Sequence, residues 1–256
     1  MLIDAENVPR NCIKKVMEEI AIYGTPTIKR IYGDWTSPVV SGWKASLLEN
    51  AITPIQQYSY TTGKNSSDSA MIIDAMDILY TGRTDGFVIV SSDSDFTRLA
   101  IRLREAGQRV IGIGERKTPS AFIAACDKFT YIEVLLDSGK RDESIHTSAE
   151  GDEAEGRVSS NQSKQQQVRP RSFKIPKDII ILIADSVADL AGDSGSVFMG
   201  ELGNLILKKQ PDFDCRNFGY KSLSSMIKSL DRFETEFRQT TDPNIKHVFV
   251  RDKEAT

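Results

Sequence analysis

The sequence predicts an α/β fold, in which helices cover a mostly parallel sheet, followed by a small α+β domain. Up to about residue 136, apolar strand-like runs alternate with helical patterns, which is typical of a parallel sheet built from strand–helix repeats. Large apolar residues then become scarce, and the chain is rich in Gly, Ser, Glu, Asp and Gln. Beyond that stretch, three helical segments precede two strand-like segments. We therefore predict a first domain at 1–136, a flexible linker at 137–172 and a second domain at 173–252.

The elements of the first domain follow from the spacing of its apolar residues. A short apolar run predicts a strand, and apolar residues at helical spacing predict a helix. The strands are predicted at 1–3, 27–32, 52–58, 88–90 and 109–113, with an edge element at 129–135. The helices are predicted at 12–20, 42–50, 69–80, 93–106 and 119–126. Gly112 and Gly114 lack the third glycine of a dinucleotide-binding fingerprint, so we expect a turn there.

The second domain is predicted to be a winged helix. Its helical segments lie at 177–191 and 200–209, and a third ends near Leu230. The strand-like segments 233–237 and 246–250 are joined by a turn that contains Pro243. Three helices and a hairpin make the winged-helix arrangement.

Composition excludes several classes of protein. The chain of 256 residues is 39% hydrophobic, enough for one full core and a smaller second one. Three widely spaced cysteines and two histidines, His146 and His247, provide neither a zinc site nor a Cys/His nucleophile. No run is apolar enough for export or for a membrane span, so we expect a cytoplasmic protein without a membrane partner. The formal net charge is only −3, so any nucleic-acid-binding face must be a local patch.

Two carboxylates, Asp93 and Asp95, follow the apolar run 88–90 almost at once. In a parallel sheet this places both acids at the carboxyl edge, where open α/β sheets bind their ligands. Clustered acids repel one another unless a cation neutralises them, so a hard divalent metal ion is the natural ligand. The alternative is that Asp93 or Ser92 only caps the helix that follows.

Two further acids lie at similar positions. Asp4 follows the apolar start of the chain, at a second strand-to-helix junction. Asp68 lies in the first helical turn after a polar loop, where the helix dipole also tolerates a purely structural acid. Asp74 is about 240° around that helix from Asp68, so we expect a reserve ligand or a supporting group. Asp77 is expected to be solvated.

Three motifs carry a resemblance to a known family. They are Asp4-Ala5-Glu6-Asn7, the segment from Lys64 to Asp68 with its following helix, and Ser91-Ser92-Asp93-Ser94-Asp95-Phe96. In this order they resemble the NYN domain, a PIN-like ribonuclease fold related to the LabA-like bacterial proteins, over residues 1 to about 136.

The resemblance implies a metal-dependent ribonuclease site. The acids Asp4, Asp68, Asp93 and Asp95 match the family's metal-binding set, with Mg²⁺ or Mn²⁺ as the expected ion. Asn7 caps a helix, or it orients Asp4 or the scissile phosphate, and Lys64 and Ser92 are expected to contact the substrate. Ser92 and Asn65 replace glycines that the family often has. Only three residues precede Asp4, so either the first strand is short or the chain starts further upstream.

A second resemblance covers the C-terminal segment 197–237. Its motifs are Leu202-Gly203, Pro211-Asp212-Phe213 and Phe218-Gly219-Tyr220-Lys221-Ser222-Leu223, and they resemble the LOTUS or OST-HTH domain. That family is associated with RNA and, in some members, with protein partners. Tyr220 is a candidate for stacking on a base, Lys221 and Lys228 for contacting phosphates, and the amides that open the third helix for binding a backbone oxygen. The alternative is that Phe218, Tyr220 and Leu223 belong to the core.

The leading hypothesis from sequence is a metal-dependent RNA hydrolase with a flexibly tethered RNA-binding module. A non-catalytic RNA-binding or scaffold protein is the first alternative. A phosphotransferase of haloacid-dehalogenase type is the second, because Asp93-Ser94-Asp95-Phe96-Thr97 also matches an Asp-x-Asp-x-Thr motif. Homodimer formation stays open.

Overall fold

The computed structural model describes residues 1–38, 40–58, 66–137, 174–192, 195–239 and 246–255, and all structural statements concern these residues. The first domain has a six-stranded sheet in which every strand pair is parallel. Its strands are β1 (Leu2–Asp4), β2 (Arg30–Gly33), β3 (Thr53–Gln56), β4 (Gly86–Val90), β5 (Arg109–Gly114) and β6 (Lys128–Tyr131). The predicted α/β fold is confirmed.

Helices cover both faces of this sheet. They are α1 (Ile13–Ala21), α2 (Lys44–Asn50), α3 (Ser66–Tyr80), α4 (Thr97–Glu105), α5 (Ser120–Ala125) and α6 (132–137). The apolar side chains of α1, α2 and α6 pack with Ile3 and Ile31 on one face. Those of α3, α4 and α5 pack with Leu2 and Ile89 on the other. The alternation of Leu2 and Ile3 between two cores is the period of two that a strand imposes.

The strand order, β3-β2-β1-β4-β5-β6, places β1 and β4 side by side at the centre of the sheet. The chain first adds strands on one side of β1 and then returns to add β4, β5 and β6 on the other. In open α/β sheets the crevice at this reversal is where ligands bind. Ile3 pairs with Val90, so Asp4 and Ser91 come next on the two central strands.

Gly112 and Gly114 lie inside β5, so the predicted turn is wrong. A Cβ atom at Gly112 would lie 2.5 Å from a ring carbon of Phe129, and one at Gly114 would lie 2.5 Å from the carbonyl oxygen of Ser91. The glycines therefore allow β5 to pass close to its neighbours, which is a common use of glycine in strands.

Short 3-10 turns precede α1, α2 and α4, and the one before α2 is Ser41–Trp43. The turn Arg10–Cys12 leads into α1, and the turn Ser94–Phe96 leads into α4. Pro9 occupies the N-cap of the first turn, so the expectation that Asn7 caps this helix is wrong. The predicted edge element 129–135 divides into the end of β6 and the helical residues 132–137.

The second domain contains three helices and a three-stranded antiparallel sheet of order β7-β9-β8. Its elements are α7 (Lys177–Leu190), β7 (Val197–Phe198), α8 (Met199–Lys209), α9 (Leu223–Lys228), β8 (Phe233–Gln239) and β9 (Lys246–Asp252). Residues from all three helices form one apolar core with Phe233 and Val250. The 3-10 turn Cys215–Phe218 ends at Gly219, whose φ of 81° reverses the chain before α9.

The two domains contact each other directly. The backbone N–H of Phe129 in β6 donates a hydrogen bond to the carbonyl oxygen of Pro211, at a distance of 2.8 Å. The sequence predicted a linker that allows variable spacing, whereas the described residues of the two domains are docked. Residues 138–172 of that linker and the predicted turn at Pro243 lie outside the described residues, so both stay predictions. No helix in the described ranges has the length and apolar character to span a membrane.

Candidate metal and RNA site at the central strands

Asp4 is fixed at the end of β1 by four hydrogen bonds. One carboxylate oxygen, Oδ1, accepts from the backbone N–H groups of Glu6 and Asn7, at 3.0 and 3.3 Å. The other, Oδ2, accepts from the Asn7 side-chain amide and from the Ser91 hydroxyl, both at 2.8 Å. The side chain is buried, with the residue 2% exposed. Asn7 therefore makes the contact expected of a residue that orients Asp4.

Ser91 connects the two central strands at the site. Its hydroxyl donates to Asp4 and accepts a hydrogen bond from the backbone N–H of Asp93, at 3.1 Å. One hydroxyl thus ties the carboxylate at the end of β1 to the chain that follows β4. Ser91 is fully buried, so this link is shielded from competing water.

Asp93 combines the two functions that the sequence left as alternatives. Its Oδ1 accepts from the backbone N–H of Asp95, at 2.9 Å, and so caps the 3-10 turn. The same side chain is half-buried and lies close enough to Asp68 to raise the pKa of that carboxyl. Capping by one oxygen fixes the rotamer of Asp93 while it takes part in the acidic site. The Asp95 side chain is exposed at the edge of this site.

Asp68 brings the helix α3 into the same site. Burial and the charges of Asp4, Asp93, Asp95 and Glu6 raise its pKa from 3.8 to about 7. Burial is the larger cause, and the four acids add to it because each disfavours another negative charge. The pKa of Glu6 is also raised, by burial and then by Asp4 and Asp34. We name the side chains of Asp4, Asp68, Asp93 and Asp95 the acidic edge.

The acidic edge fits a hydrated divalent ion better than a closed cage of ligands. Among the described residues, no three acidic, histidine or cysteine side chains have the spacing of a ready metal site. Both oxygens of Asp4 already accept hydrogen bonds. Mg²⁺ suits such a donor set, because it keeps several waters and typically binds through one or two carboxylates. The neighbouring acids repel the charged form of Asp68 and help to raise its pKa, and a bound cation would relieve this repulsion.

Family models match both parts of this chain. The NYN domain matches residues 1–133, and the OST-HTH/LOTUS domain matches residues 171–245. The chain belongs to the NYN domain family. Both resemblances seen in the sequence are thereby confirmed, in the predicted order. The NYN domain belongs to the PIN-like nuclease superfamily, and together with an OST-HTH/LOTUS domain it supports a nuclease or RNA-associated role.

Three solved structures are similar to parts of the chain. A solution NMR structure of an uncharacterised Nitrosomonas europaea protein is 30% identical and covers 40% of this chain and 95% of its own, with a TM-score of 0.30. A crystal structure of a Vibrio parahaemolyticus protein of unknown function is 19% identical, covers 50% and 88%, and has a TM-score of 0.42. A solution NMR structure from Chromobacterium violaceum is 26% identical, covers 34% and 91%, and has a TM-score of 0.26. No match was found among curated proteins.

The remaining predicted residues of the NYN domain differ in what the structure shows. The Ser92 hydroxyl accepts a hydrogen bond from the backbone N–H of Glu115, at 2.8 Å, and so joins the ends of β4 and β5. Lys64 lies outside the described residues. Arg98 and Arg102 are exposed on α4.

Asp74 belongs to a separate network, so the expectation of a reserve ligand is not supported. Its two carboxylate oxygens accept from the Arg30 guanidinium and the Tyr32 hydroxyl on β2. The pKa of the Tyr32 hydroxyl is raised by burial first and by Asp74 second. Asp74 therefore joins α3 to the sheet, and Asp77 is exposed as predicted.

In the OST-HTH domain, the residues predicted to contact RNA lie around α9. The Tyr220 ring packs partly against the apolar core, and its hydroxyl accepts from Ser229 at 2.8 Å. Lys221 is exposed, and the Lys228 ammonium lies 4.9 Å from the centre of the exposed Phe237 ring. One of the amides that open α9 is already capped, because the Ser222 hydroxyl accepts from Ser225 N–H. Binding of a backbone oxygen by the other amides there stays a prediction.

Two positioning groups were missed from the sequence. The motif that contains Ser91 predicted no contact for it, although its hydroxyl connects Asp4 with the chain at Asp93. The motif that contains Glu6 likewise predicted no function for it, although its charge acts on Asp68. Pairing β1 with β4 was the signal that would have found Ser91, because only that register brings it beside Asp4.

Proposed function

We propose that this protein is a divalent-metal-dependent ribonuclease that hydrolyses RNA phosphodiester bonds at the acidic edge, with the OST-HTH domain as a second RNA-binding module. The observation that carries the proposal is the gathering of the acidic edge at the reversal point of the sheet, where Asp68 is crowded enough for its pKa to approach 7. Membership of the NYN domain family supports the same reaction class.

Asp4, Asp68, Asp93 and Asp95 would hold one or two Mg²⁺ or Mn²⁺ ions, which supply a water of lowered pKa and stabilise charge on the phosphate. The chain's own residues prepare this arrangement. Asn7 and Ser91 hold the Asp4 carboxylate in one orientation, and the Asp95 N–H holds Asp93. No histidine is required for this chemistry.

The substrate contacts of this proposal are spread over both domains. In the NYN domain, Asn7, Ser92 and Lys64 are the proposed neighbours of the scissile nucleotide. In the OST-HTH domain, Tyr220 supplies a ring for stacking and Lys221 and Lys228 supply phosphate contacts. Besides contacting the substrate, Asn7 and Ser92 position other groups at the site through their hydrogen bonds with Asp4 and Glu115.

The decisive experiment is cleavage of end-labelled single-stranded RNA by wild type, Asp93→Asn and Asp77→Asn, each with Mg²⁺, Mn²⁺ or EDTA. Asp77 is an exposed acid on α3 and receives the same substitution, so it serves as the matched control. We expect wild type and Asp77→Asn to cut only with metal. Asp93→Asn should lose at least about a hundredfold in rate, which corresponds to about 2.7 kcal/mol of transition-state stabilisation.

A second candidate is a non-catalytic RNA-binding or scaffold protein. The observations that favour it are the four hydrogen bonds on Asp4 and the lack, among the described residues, of three side chains at metal-site spacing. RNA that stays intact with every metal while still binding the wild-type protein would support this candidate. The haloacid-dehalogenase interpretation gains nothing from the family assignment, and the Thr97 hydroxyl only donates to the Ser94 carbonyl within its turn.

A further inference from the structure

The open edge of the NYN sheet is covered by residues 211–217 of the OST-HTH domain, which we name the edge clamp. An edge strand exposes unpaired backbone groups, and proteins commonly cover or pair them. Here the N–H of Phe129 in the edge strand β6 donates to the carbonyl oxygen of Pro211. The edge clamp therefore supplies a backbone partner in the plane of the sheet.

On one face of β6, Arg216 inserts between two buried acids. Its Nη1 and Nη2 donate to the two carboxylate oxygens of Glu19 on α1, at 2.9 and 3.0 Å. The same guanidinium donates to both oxygens of Asp214, from Nε to Oδ1 and from Nη2 to Oδ2. Glu19 is only 3% exposed and also accepts from the Tyr23 hydroxyl, at 3.1 Å. A buried carboxylate that accepts this many hydrogen bonds is stabilised by a positively charged partner, and the OST-HTH domain provides Arg216.

On the opposite face, the Tyr131 hydroxyl donates to Asp212 at 2.6 Å. At the carboxyl edge, Arg116 donates to the Asn217 side-chain oxygen at 3.1 Å while its guanidinium lies over the Tyr131 ring. The edge clamp thus holds β6 from both faces and from its end. Several independent contacts of this kind fix an orientation, which a single ion pair would not.

One end of the edge clamp, at Asn217, reaches the carboxyl edge of the sheet, where the acidic edge also lies. Arg116 belongs to the loop after β5, and the preceding residue, Glu115, donates its N–H to Ser92. Only β5 separates β4 from β6. Two strand spacings amount to about 10 Å, so the OST-HTH domain begins within a few nucleotides' reach of Asp93.

Basic and aromatic side chains line this short interval. Arg116 and Lys117 are exposed in the loop between the acidic edge and the edge clamp, where the Lys117 ammonium also pairs with Glu115 at 2.6 Å. Directly after the edge clamp, Gly219 turns the chain and the exposed Lys221 follows the half-buried Tyr220. An RNA strand that approaches four acids requires cations beside it, because its own phosphates are negative.

We propose that the substrate is a single RNA strand that contacts both domains at once, and that the edge clamp fixes the distance between its two binding positions. The strand lies on the OST-HTH domain beside Tyr220 and Lys221, passes Arg116 and Lys117, and presents a phosphate to the acidic edge. This inference rests on the proposed function. It adds a docked rather than freely tethered second domain, and it predicts a minimum length of RNA for tight binding.

The first part of the test measures docking without RNA. Spin labels at Leu48→Cys and Ile181→Cys, two exposed positions in different domains, report the interdomain distance in a Cys215→Ser background. Cys12 and Cys126 are buried and burial raises each thiol pKa to about 12, so they stay unlabelled. We expect one narrow distance distribution, which Arg216→Ala broadens. Arg251→Ala, an exposed arginine of the same domain outside the edge clamp, should leave it narrow.

The second part measures affinity for single-stranded RNA of increasing length, from about 4 to about 20 nucleotides, by fluorescence anisotropy. Asp93→Asn is used throughout so that the RNA stays intact. We expect the affinity to rise by at least about tenfold over a narrow range of lengths, where the strand first reaches both domains. Adding Arg216→Ala should shrink this step and move it to longer RNA, since a loose tether gives a lower effective concentration.

Four results would overturn the inference. The first is a broad label distance in the wild type, and the second is a smooth rise of affinity with length. The third is a rise in affinity that stays at the same RNA length in Arg216→Ala, although this variant broadens the distribution of label distances. Tighter binding to duplex RNA of equal length would also exclude a single strand as the substrate. Cleavage plays no part in these measurements, so a protein that shows the step but never cuts RNA contradicts only the proposed function.

Discussion

The acidic edge and the edge clamp both bury carboxylates, but they surround them with opposite charges. At the edge clamp, Glu19 and Asp214 share the guanidinium of Arg216. At the acidic edge, the charges that act on Asp68 are those of other acids, and they raise its pKa to about 7. Two sites with the same residue type therefore have different electrostatic character.

This difference indicates what each site is for. A buried acid that already has its cation within the chain contributes to structure, because folding itself completes the pair. Acids held against one another reduce stability in the absence of a ligand, and such arrangements are common at functional sites. Burial alone would not have separated the two, since Asp4 and Glu19 are almost equally inaccessible.

Breaking the edge clamp should have the largest effect on stability. Arg216→Ala leaves Glu19 and Asp214 buried without their shared cation, a state that costs about 3–5 kcal/mol while the domains remain docked. We expect the domains to separate instead, so that calorimetry shows two unfolding transitions where the wild type shows one. Arg251→Ala should keep the single transition. An unchanged transition in Arg216→Ala would mean that the Glu19 pair does not hold the domains together.

Removing the bridge at the acidic edge should come next. Ser91→Ala frees the Asp4 carboxylate from the chain at Asp93, and loss of such a supporting contact typically costs about 10–100-fold in activity or metal affinity. The measurement is the rate of metal-dependent RNA cleavage, with Ser94→Ala, an exposed serine of the next turn, as the control. Equal rates for the two variants would show that Ser91 does not position the site.

If the acids of the acidic edge repel one another, replacing Asp68 should stabilise the metal-free protein. Because the folded pKa of Asp68 is raised from 3.8 to about 7, its cost to folding grows between these pH values and is complete above them. In EDTA at pH 8, Asp68→Asn should be more stable than wild type by roughly 1–2 kcal/mol and should therefore unfold at a higher temperature.

The advantage of Asp68→Asn over wild type should shrink as the pH falls from 8 toward 4, since protonation of Asp68 removes the same charge. Saturating Mn²⁺ should stabilise the wild type more than the variant. Asp77→Asn controls for the substitution itself. A variant less stable than wild type in EDTA at pH 8 would contradict the view that the acids repel one another.

The smallest expected effect concerns a single contact of the edge clamp. Tyr131→Phe removes the hydroxyl that donates to Asp212, and one such hydrogen bond contributes about 1 kcal/mol. We expect a small shift of the calorimetric transition without its splitting. Tyr80→Phe, on a tyrosine that is 75% exposed, should give no shift. A split transition in Tyr131→Phe would make Asp212, rather than Glu19, the main contact of the edge clamp.

Local sequence patterns were sufficient for the elements and for the edge that carries the acids. Apolar runs and helical spacing predicted the parallel sheet, and the positions of Asp4 and Asp93 just after two strands predicted that they share one edge. Both family resemblances followed from short motifs in the correct order. These features depend on neighbours in the chain, so the chain alone determines them.

Only the tertiary structure decided which distant residues pair. Ser91 reaches Asp4 because β1 lies beside β4, and Gly112 and Gly114 are needed because β5 passes close to Phe129 and Ser91. Glu19 appeared on an ordinary amphipathic helix, and its arginine is 197 positions away in the other domain. Charge pairing between residues so far apart in the chain depends on strand order and domain docking. The spacing of apolar residues in the sequence predicts neither of them. The sequence therefore determined the site's chemistry, and the fold decided which of its charges are balanced.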